Sequence, residues 1–255
     1  MRIERVLANN PGPFTGPGTN TWLLGDGADA VAIIDPGPLD PRHAEAIASR
    51  VGSRKVESVL VTHTNIDHAP MANPLAKDYG VPALGYGSGP HFDPDVAIGE
   101  SDQARIGELT ITVIHTPGHA DDHLCFRVGN VLFTGDHIMG GSSVMVETMG
   151  PYLRSLEKLR HTGLERLYPG HGEEMDEPDQ VIDWYVAHRM QRHAQVLEAV
   201  RGGATSTEGI VETVYADVDR SLHVLAAQSV KGHLGLLVEE GLITWDGGEI
   251  AISAP

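Results

Sequence analysis

The segment Val61-Thr62-His63-Thr64-Asn65-Ile66-Asp67-His68 sets imidazole, amide and carboxylate groups at close spacing, directly after the apolar run Val59-Leu60-Val61. Similar residues stand behind other apolar runs: His119 in Thr116-Pro117-Gly118-His119, Asp136 in Phe133-Thr134-Gly135-Asp136-His137 and His171 in Tyr168-Pro169-Gly170-His171-Gly172. Neutral imidazole nitrogen and carboxylate oxygen are the groups that hold zinc, at about 2.0–2.2 Å, and a catalytic site keeps one position open for water. A carboxylate such as Asp136 can bridge two metals roughly 3.5–4 Å apart, and bound metal lowers the pKa of water toward about 7, which makes a hydroxide nucleophile at neutral pH. Taken alone, each element reads as a surface histidine or a bend. The recurrence of strand, glycine-containing turn and His or Asp, in this order, reads as one metal centre. His137 stands beside Asp136 but is expected to point elsewhere.

Strands must gather these turns at one edge. Thr21–Leu24 and Ala30–Asp35 read as strands joined across Gly25-Asp26-Gly27, and Val56–Val61 as a strand leading into the histidine cluster. Further strands are predicted at Leu109–Ile114, His123–Val128, Val131–Thr134 and Arg166–Tyr168, with Gly129-Asn130 as a hairpin turn. Helices are predicted at Pro41–Val51, Met71–Tyr79, Tyr152–His161 and Asp179 to about Val200. Strands with interleaved helices predict an α+β domain over residues 1–200, built from two mixed sheets covered by helices. Arg201-Gly202-Gly203-Ala204 marks a boundary. In residues 201–255, helices at Ser206–Tyr215 and Ser221–Glu240 precede a hairpin of Leu242–Trp245 and Glu249–Ile252, a winged-helix-like tail. Its last helix offers Lys231, His233 and His223 against Glu239 and Glu240, a poor charge balance for nucleic acid, so a cap or a subunit contact is the simpler role.

Composition narrows the partners. With 255 residues and 41% hydrophobic content the chain can fill a sizeable core. A formal net charge of −17 disfavours general affinity for phosphate backbones, although a local basic groove would still permit RNA. The single cysteine, Cys125, excludes an intrachain disulfide and reads as a small buried hydrophobe. Neither a signal-peptide core nor a membrane span is apparent, and the cytoplasm is the simplest placement.

These residues resemble the His-x-His-x-Asp-His signature of the metallo-β-lactamase superfamily of hydrolases, with Asn65 where the signature has its second histidine. The chain is similar in particular to the lactamase-β-2-like branch, some members of which are endoribonucleases on single-stranded RNA. That similarity covers Asn9-Asn10-Pro11-Gly12-Pro13-Phe14, Gly18-Thr19-Asn20-Thr21, His115–His119 with Asp121-Asp122-His123, Tyr168–Gly172, His188-Arg189 and the tail. It implies a four-layer αββα sandwich with metals at one sheet edge. It also implies that His63 and His119 bind a first zinc, that Asp67, His68 and His171 bind a second, and that Asp136 bridges them. Asn65 occupies the remaining first-site position, and an amide oxygen is a poorer donor than imidazole for zinc. One or two zinc ions per chain are therefore expected, with manganese favoured if oxygen ligands dominate.

The implied activity is hydrolysis: a zinc-bound hydroxide, oriented by Asp67 or Asp136, attacks a carbonyl or phosphoryl centre. A small-molecule ester, thioester or lactone is expected ahead of a phosphodiester. Two other readings stay open, a catalytically silent metal-binding or interaction protein in which Asn65 marks a degraded centre, and a winged-helix nucleic-acid binder. Asp121, Asp122 and His123 either orient ligands or cap the next strand. His188, Arg189, Arg192 and His193 form an anionic-substrate patch or, more simply, a solvated helix face. Asn20 reads as a turn residue, and Pro90, His91, Phe92 and Pro94 as an entrance segment. The apolar Leu234–Val238 stretch serves a core or a homo-oligomer interface equally well.

Overall fold

β-Branched and leucine-rich runs bounded by glycine and proline turns form two sheets in a computed structural model that describes residues 1–27, 29–141 and 144–253. Ala254 and Pro255, the end of the expected tail, lie outside the described residues. The first sheet contains β1 (Arg2–Leu7), β2 (Asn20–Gly25), β3 (Ala30–Ile34), β4 (Lys55–Leu60), β5 (Ala83–Gly85) and β6 (Val96–Ala97) in that spatial order. Helices α1 (Pro41–Val51) and α2 (Ala72–Tyr79) make the crossovers that let β3, β4 and β5 run parallel. The second sheet contains β7 (Gln103–Ile106), β8 (Leu109–His115), β9 (Leu124–Val128), β10 (Val131–Gly135), β11 (Arg166–Pro169) and β12 (Met175–Asp176). Helix α3 (Met149–Leu159) precedes β11, which pairs parallel with β10. After them come α4 (Pro178–Arg201), α5 (Thr207–Val214), a short 3₁₀ turn, α6 (His223–Glu239) and the hairpin β13 (Ile243–Thr244) and β14 (Ala251–Ile252).

The chain forms two compact units. The first comprises Met1–Thr116, Asp121–Val144 and His161–Pro178. Strand alternation sorts its side chains between two cores. Trp22, Leu24 and Ile34 of the first sheet share one core with Ile111, Val113, Phe126, Phe133 and Tyr168 of the second. Their neighbours Leu23, Val31 and Ile33 face the other way, against Ile47 and Val51 of α1 and Leu75 and Ala76 of α2. Burial of each such valine, leucine, isoleucine or phenylalanine side chain contributes about 1.5–3 kcal/mol. Helix α1 starts where Asp40 accepts from the Arg42 amide at 2.9 Å, with Pro41 in the first turn.

The second unit comprises Pro117–Ala120, Met145–Arg160 and Asp179–Pro255. Its core joins Val196 and Val200 of α4, Ile210 of α5, Leu234 and Leu237 of α6, and Ile243 and Ile250 of the hairpin region. The Leu234–Val238 stretch therefore serves mainly the core, with Val238 exposed.

The short strands β5, β6, β7 and β12 lie outside the expected elements, and three further features differ from expectation. The N-terminal residues form the edge strand β1, whose mixed composition carries little periodic signal. Helix α3 begins at Met149, ahead of Tyr152. On α4 the solvated-face reading fails for Arg189 and His193, which are buried on the same stripe as Ile182, Tyr185, Val196 and Val200. The Arg189 guanidinium lies 5.5 Å from the centre of the Tyr152 ring, and His193 Nε2 lies 3.0 Å from Glu240. These contacts supply the partners that buried charge requires. Among the described residues, no helix is long and apolar enough to cross a membrane.

Candidate metal centre

Because β3 and β4 run parallel with Ile34 opposite Leu60, Asp35 emerges beside Thr62 at the same sheet edge. Its carboxylate accepts from the Thr62 amide and the Thr62 hydroxyl, each at 2.7 Å, and faces His68 Nδ1 at 3.0 Å. Asp35 is buried at φ 50°, a left-handed conformation rarely held by a residue other than glycine, and these bonds offset that strain. The next loop turns sharply: the Asn65 carbonyl accepts from the amides of His68 at 3.0 Å and Ala69 at 3.1 Å, while Asn65 itself is exposed.

The second sheet delivers its candidate ligand residues from β10 and β11, parallel neighbours with Gly135 opposite Pro169. Asp136 follows the first and His171 follows the second. His171 Nε2 lies 3.1 Å from Asp67 Oδ2, 3.2 Å from Asp136 Oδ2 and 3.2 Å from His68 Nε2. Asp136 Oδ1 also lies 3.4 Å from His68 Nε2. Asp67, His68 and His171 thus each offer a ligand-type atom within 4.8 Å of the others, and His63 and Asp136 do so for one another. Gly170 leaves room for this convergence: a Cβ there would sit 2.5 Å from Asp136 Oδ1 and 2.6 Å from His68 Cε1.

Hydrogen bonds set the tautomers. His68 Nδ1 faces Asp35, His171 Nδ1 faces the Gly18 carbonyl at 3.1 Å, and His63 Nδ1 faces the Thr62 hydroxyl at 3.0 Å, whose own proton goes to Asp35. In the second unit, His119 Nδ1 lies 2.7 Å from the Met145 carbonyl. Each arrangement puts hydrogen on Nδ1 and the lone pair on Nε2, the outer-shell pattern that prepares an imidazole to ligate metal. His137 is buried, with its ring 5.9 Å from that of His123.

The electrostatics fit a cation. Burial opposes charge on His68, but Asp136, Asp67 and Asp35 hold its pKa well above the ordinary value. Burial likewise opposes charge on His171, yet hydrogen bonds to Asp136 and Asp67 raise its pKa to about 9. Burial should raise the pKa of Asp67 and Asp136, but His68 and His171 hold both far below the usual carboxylate range. Two Nε2 atoms 3.2 Å apart repel unless a proton or a cation lies between them. The same carboxylates that draw protons onto these imidazoles would draw a divalent ion in their place.

Several side chains frame the centre. Trp22 Nε1 and Asn20 Nδ2, both from β2, donate to the Pro169 carbonyl at 2.9 and 3.0 Å, and Asn20 Nδ2 also lies 2.8 Å from the Gly172 carbonyl. Asn20 therefore fastens the first sheet to the His171 loop as well as ending a turn. Asp122 accepts from the Thr64 amide at 2.9 Å, and His123 Nε2 from the Asp136 amide at 3.1 Å. Asp121 is exposed, its carbonyl 2.8 Å from His115 Nε2. In the Pro90–Pro94 segment, Phe92 is buried in the core beneath α2. The reading from sequence missed Asp35. Its signal was an apolar strand ending in an acid before Pro36-Gly37, the same pattern that singled out Asp136.

Comparison with known proteins identifies the family of the chain. A profile described as Metallo-beta-lactamase superfamily matches residues 14–171, and one described as Beta-lactamase associated winged helix domain matches residues 206–249. The chain is 30% identical over 259 residues to a Beta-lactamase-like protein 2 homolog of Drosophila melanogaster, covering 94% of this chain and 88% of that protein. It is 31% identical over 243 residues to an Atrochrysone carboxyl ACP thioesterase of Aspergillus chevalieri, covering 90% of this chain and 75% of that one. The fold is shared with a beta-lactamase domain protein from Burkholderia ambifaria, at a TM-score of 0.83 and 23% identity over 98% of this chain and 91% of that chain.

Proposed function

Because the chain belongs to the metallo-beta-lactamase superfamily and is a hydrolase of that fold, we propose that it cleaves thioester or ester bonds of small acyl compounds with bound zinc. The convergence of Asp67, His68, Asp136 and His171, with the outer nitrogen of each imidazole already held, carries this reading. Asp67, His68 and His171 would hold one ion, His63 and His119 with Asp136 the other, and Asp136 would span both. The assignment of His119 rests on its place in the sequence pattern. Asn65 would complete the first set only as a weaker amide donor, so that ion would be bound less tightly. When bound, zinc supplies a nucleophile from water at neutral pH and polarises the scissile carbonyl.

The chain's own groups divide the remaining work. Asp67 is the more accessible carboxylate, 21% exposed against 8% for Asp136, so it orients the attacking water while Asp136 stays with the ligands. Two loops that carry or bond to proposed ligands expose apolar side chains: Leu39 at 64% and Ile66 at 68%. Ile66 lies between Asn65 and Asp67, and the loop of Leu39 is tied to His68 by the Gly37 amide at 2.9 Å. These exposed apolar groups suit an apolar acyl chain, as does the thioesterase relative, whereas a net charge of −17 weighs against RNA.

The test is a substrate panel of acyl-coenzyme A thioesters, nitrophenyl esters, lactones and single-stranded RNA, assayed after chelation and again after zinc is restored. Zinc-dependent turnover of thioesters or esters is expected. Cleavage of RNA alone would replace the acyl reading, and bound zinc without any turnover would leave a silent metal-binding protein.

A further inference from the structure

We infer that Asp122 and His123 form a brace between the two sheets that fixes the spacing of the ligand loops. They would thus be positioning residues for the centre, an inference that rests on the metal reading above. His63, Asp67 and His68 leave β4 of the first sheet, whereas Asp136 and His171 leave β10 and β11 of the second. Something must hold these edges in register, because a centre with shared ligands tolerates little change in their separation.

The dipeptide before β9 reaches both edges. Asp122 Oδ2 accepts from the Thr64 amide at 2.9 Å, and His123 Nε2 accepts from the Asp136 amide at 3.1 Å. His123 Nδ1, which then carries the hydrogen, donates to the Thr116 hydroxyl at 2.9 Å. The imidazole is fully buried with its ring centre 5.0 Å from that of His63. Gly135 marks how closely the parts approach: a Cβ there would sit 2.7 Å from both His123 Nε2 and Thr62 Oγ1.

A simple strand cap does not account for these bonds. Main-chain pairing at the start of β9 is already made by the Leu124 amide donating to the Thr62 carbonyl at 2.7 Å. The two side chains act in addition, each accepting from an amide next to or on a ligand residue. Neither belongs to the convergent ligand sets among the described residues.

The full-length chain, stripped of metal, is titrated with zinc against a chromogenic chelator, and its cobalt(II) absorption spectrum is recorded. The variants are Asp122→Ala, Asp122→Asn, His123→Leu and His123→Gln; the amide variants retain an acceptor oxygen and the others do not. Asp122→Ala and His123→Leu should bind zinc about 10–100-fold more weakly with an altered cobalt spectrum, while Asp122→Asn and His123→Gln recover most of the affinity. Affinity within about twofold of the parent in both acceptor-free variants would overturn the brace. Should His123→Leu not fold, the Asp122 pair decides. A parent chain that binds no zinc would overturn the metal reading and the brace with it; a parent that binds, with unaffected variants, overturns the brace alone.

Discussion

Asp35 Oδ2 lies 3.0 Å from His68 Nδ1 and accepts from the Thr62 hydroxyl at 2.7 Å, so one buried oxygen orients both a proposed ligand and the strand end that precedes it. Asp35→Asn keeps the shape but loses the charge that holds hydrogen on Nδ1. Zinc affinity should fall about 10–100-fold with the fold retained, as measured by chelator competition and circular dichroism. Parental affinity would mean that the His68 tautomer is set by other groups.

Asn65→His would put an imidazole where the proposed ligand set has an amide. Zinc per chain, counted by elemental analysis after saturation and desalting, should rise, and turnover with it. An unchanged count would show that the amide is not what limits that site.

Gly170→Ala would place a methyl group against Asp136 Oδ1 and His68 Cε1, at 2.5 and 2.6 Å before any relaxation. Because the obstacles are the proposed ligands themselves, zinc content should drop sharply while the unfolding midpoint moves far less. A variant that keeps its zinc would show that the His171 loop can yield.

His233, buried on α6, has no hydrogen-bond partner for either ring nitrogen among the described residues. Desolvation, with His193, Arg189, His188 and Arg192 nearby, lowers its pKa from 6.5 to about 3. The unfolded chain takes up this proton near the ordinary value and the folded chain does not, so stability is full above that value and declines as pH falls toward about 3. Urea unfolding between pH 7 and pH 4 should show a shallower acid-side decline for His233→Leu than for the parent. Parallel slopes would place the acid sensitivity elsewhere.

Much of the frame could be read from the chain because its signals are local. Helix α1 follows from Asp40-Pro41 and Gly52, and the strands before His63, Asp136 and His171 follow from apolar runs ending in glycine turns. What remained hidden depends on tertiary neighbours. Asp35 is an ordinary strand end until the parallel pairing sets it beside Thr62. Arg189 and His193 look like polar helix-surface residues until Tyr152 and Glu240 supply their partners from distant sequence. Strand β1 is legible only through its pairing with β2.

The two bonds from β2 to the Pro169 carbonyl bear on the order of events when the protein is made. Trp22 and Asn20 hold the edge of the second sheet through neutral groups, with no cation as an intermediary. On the metal reading proposed above, folding would then not wait for the ion, the reverse of small zinc modules whose chain is ordered only by theirs. Under that reading, a cell short of the ion would accumulate a folded, idle form that a later supply could activate without new synthesis.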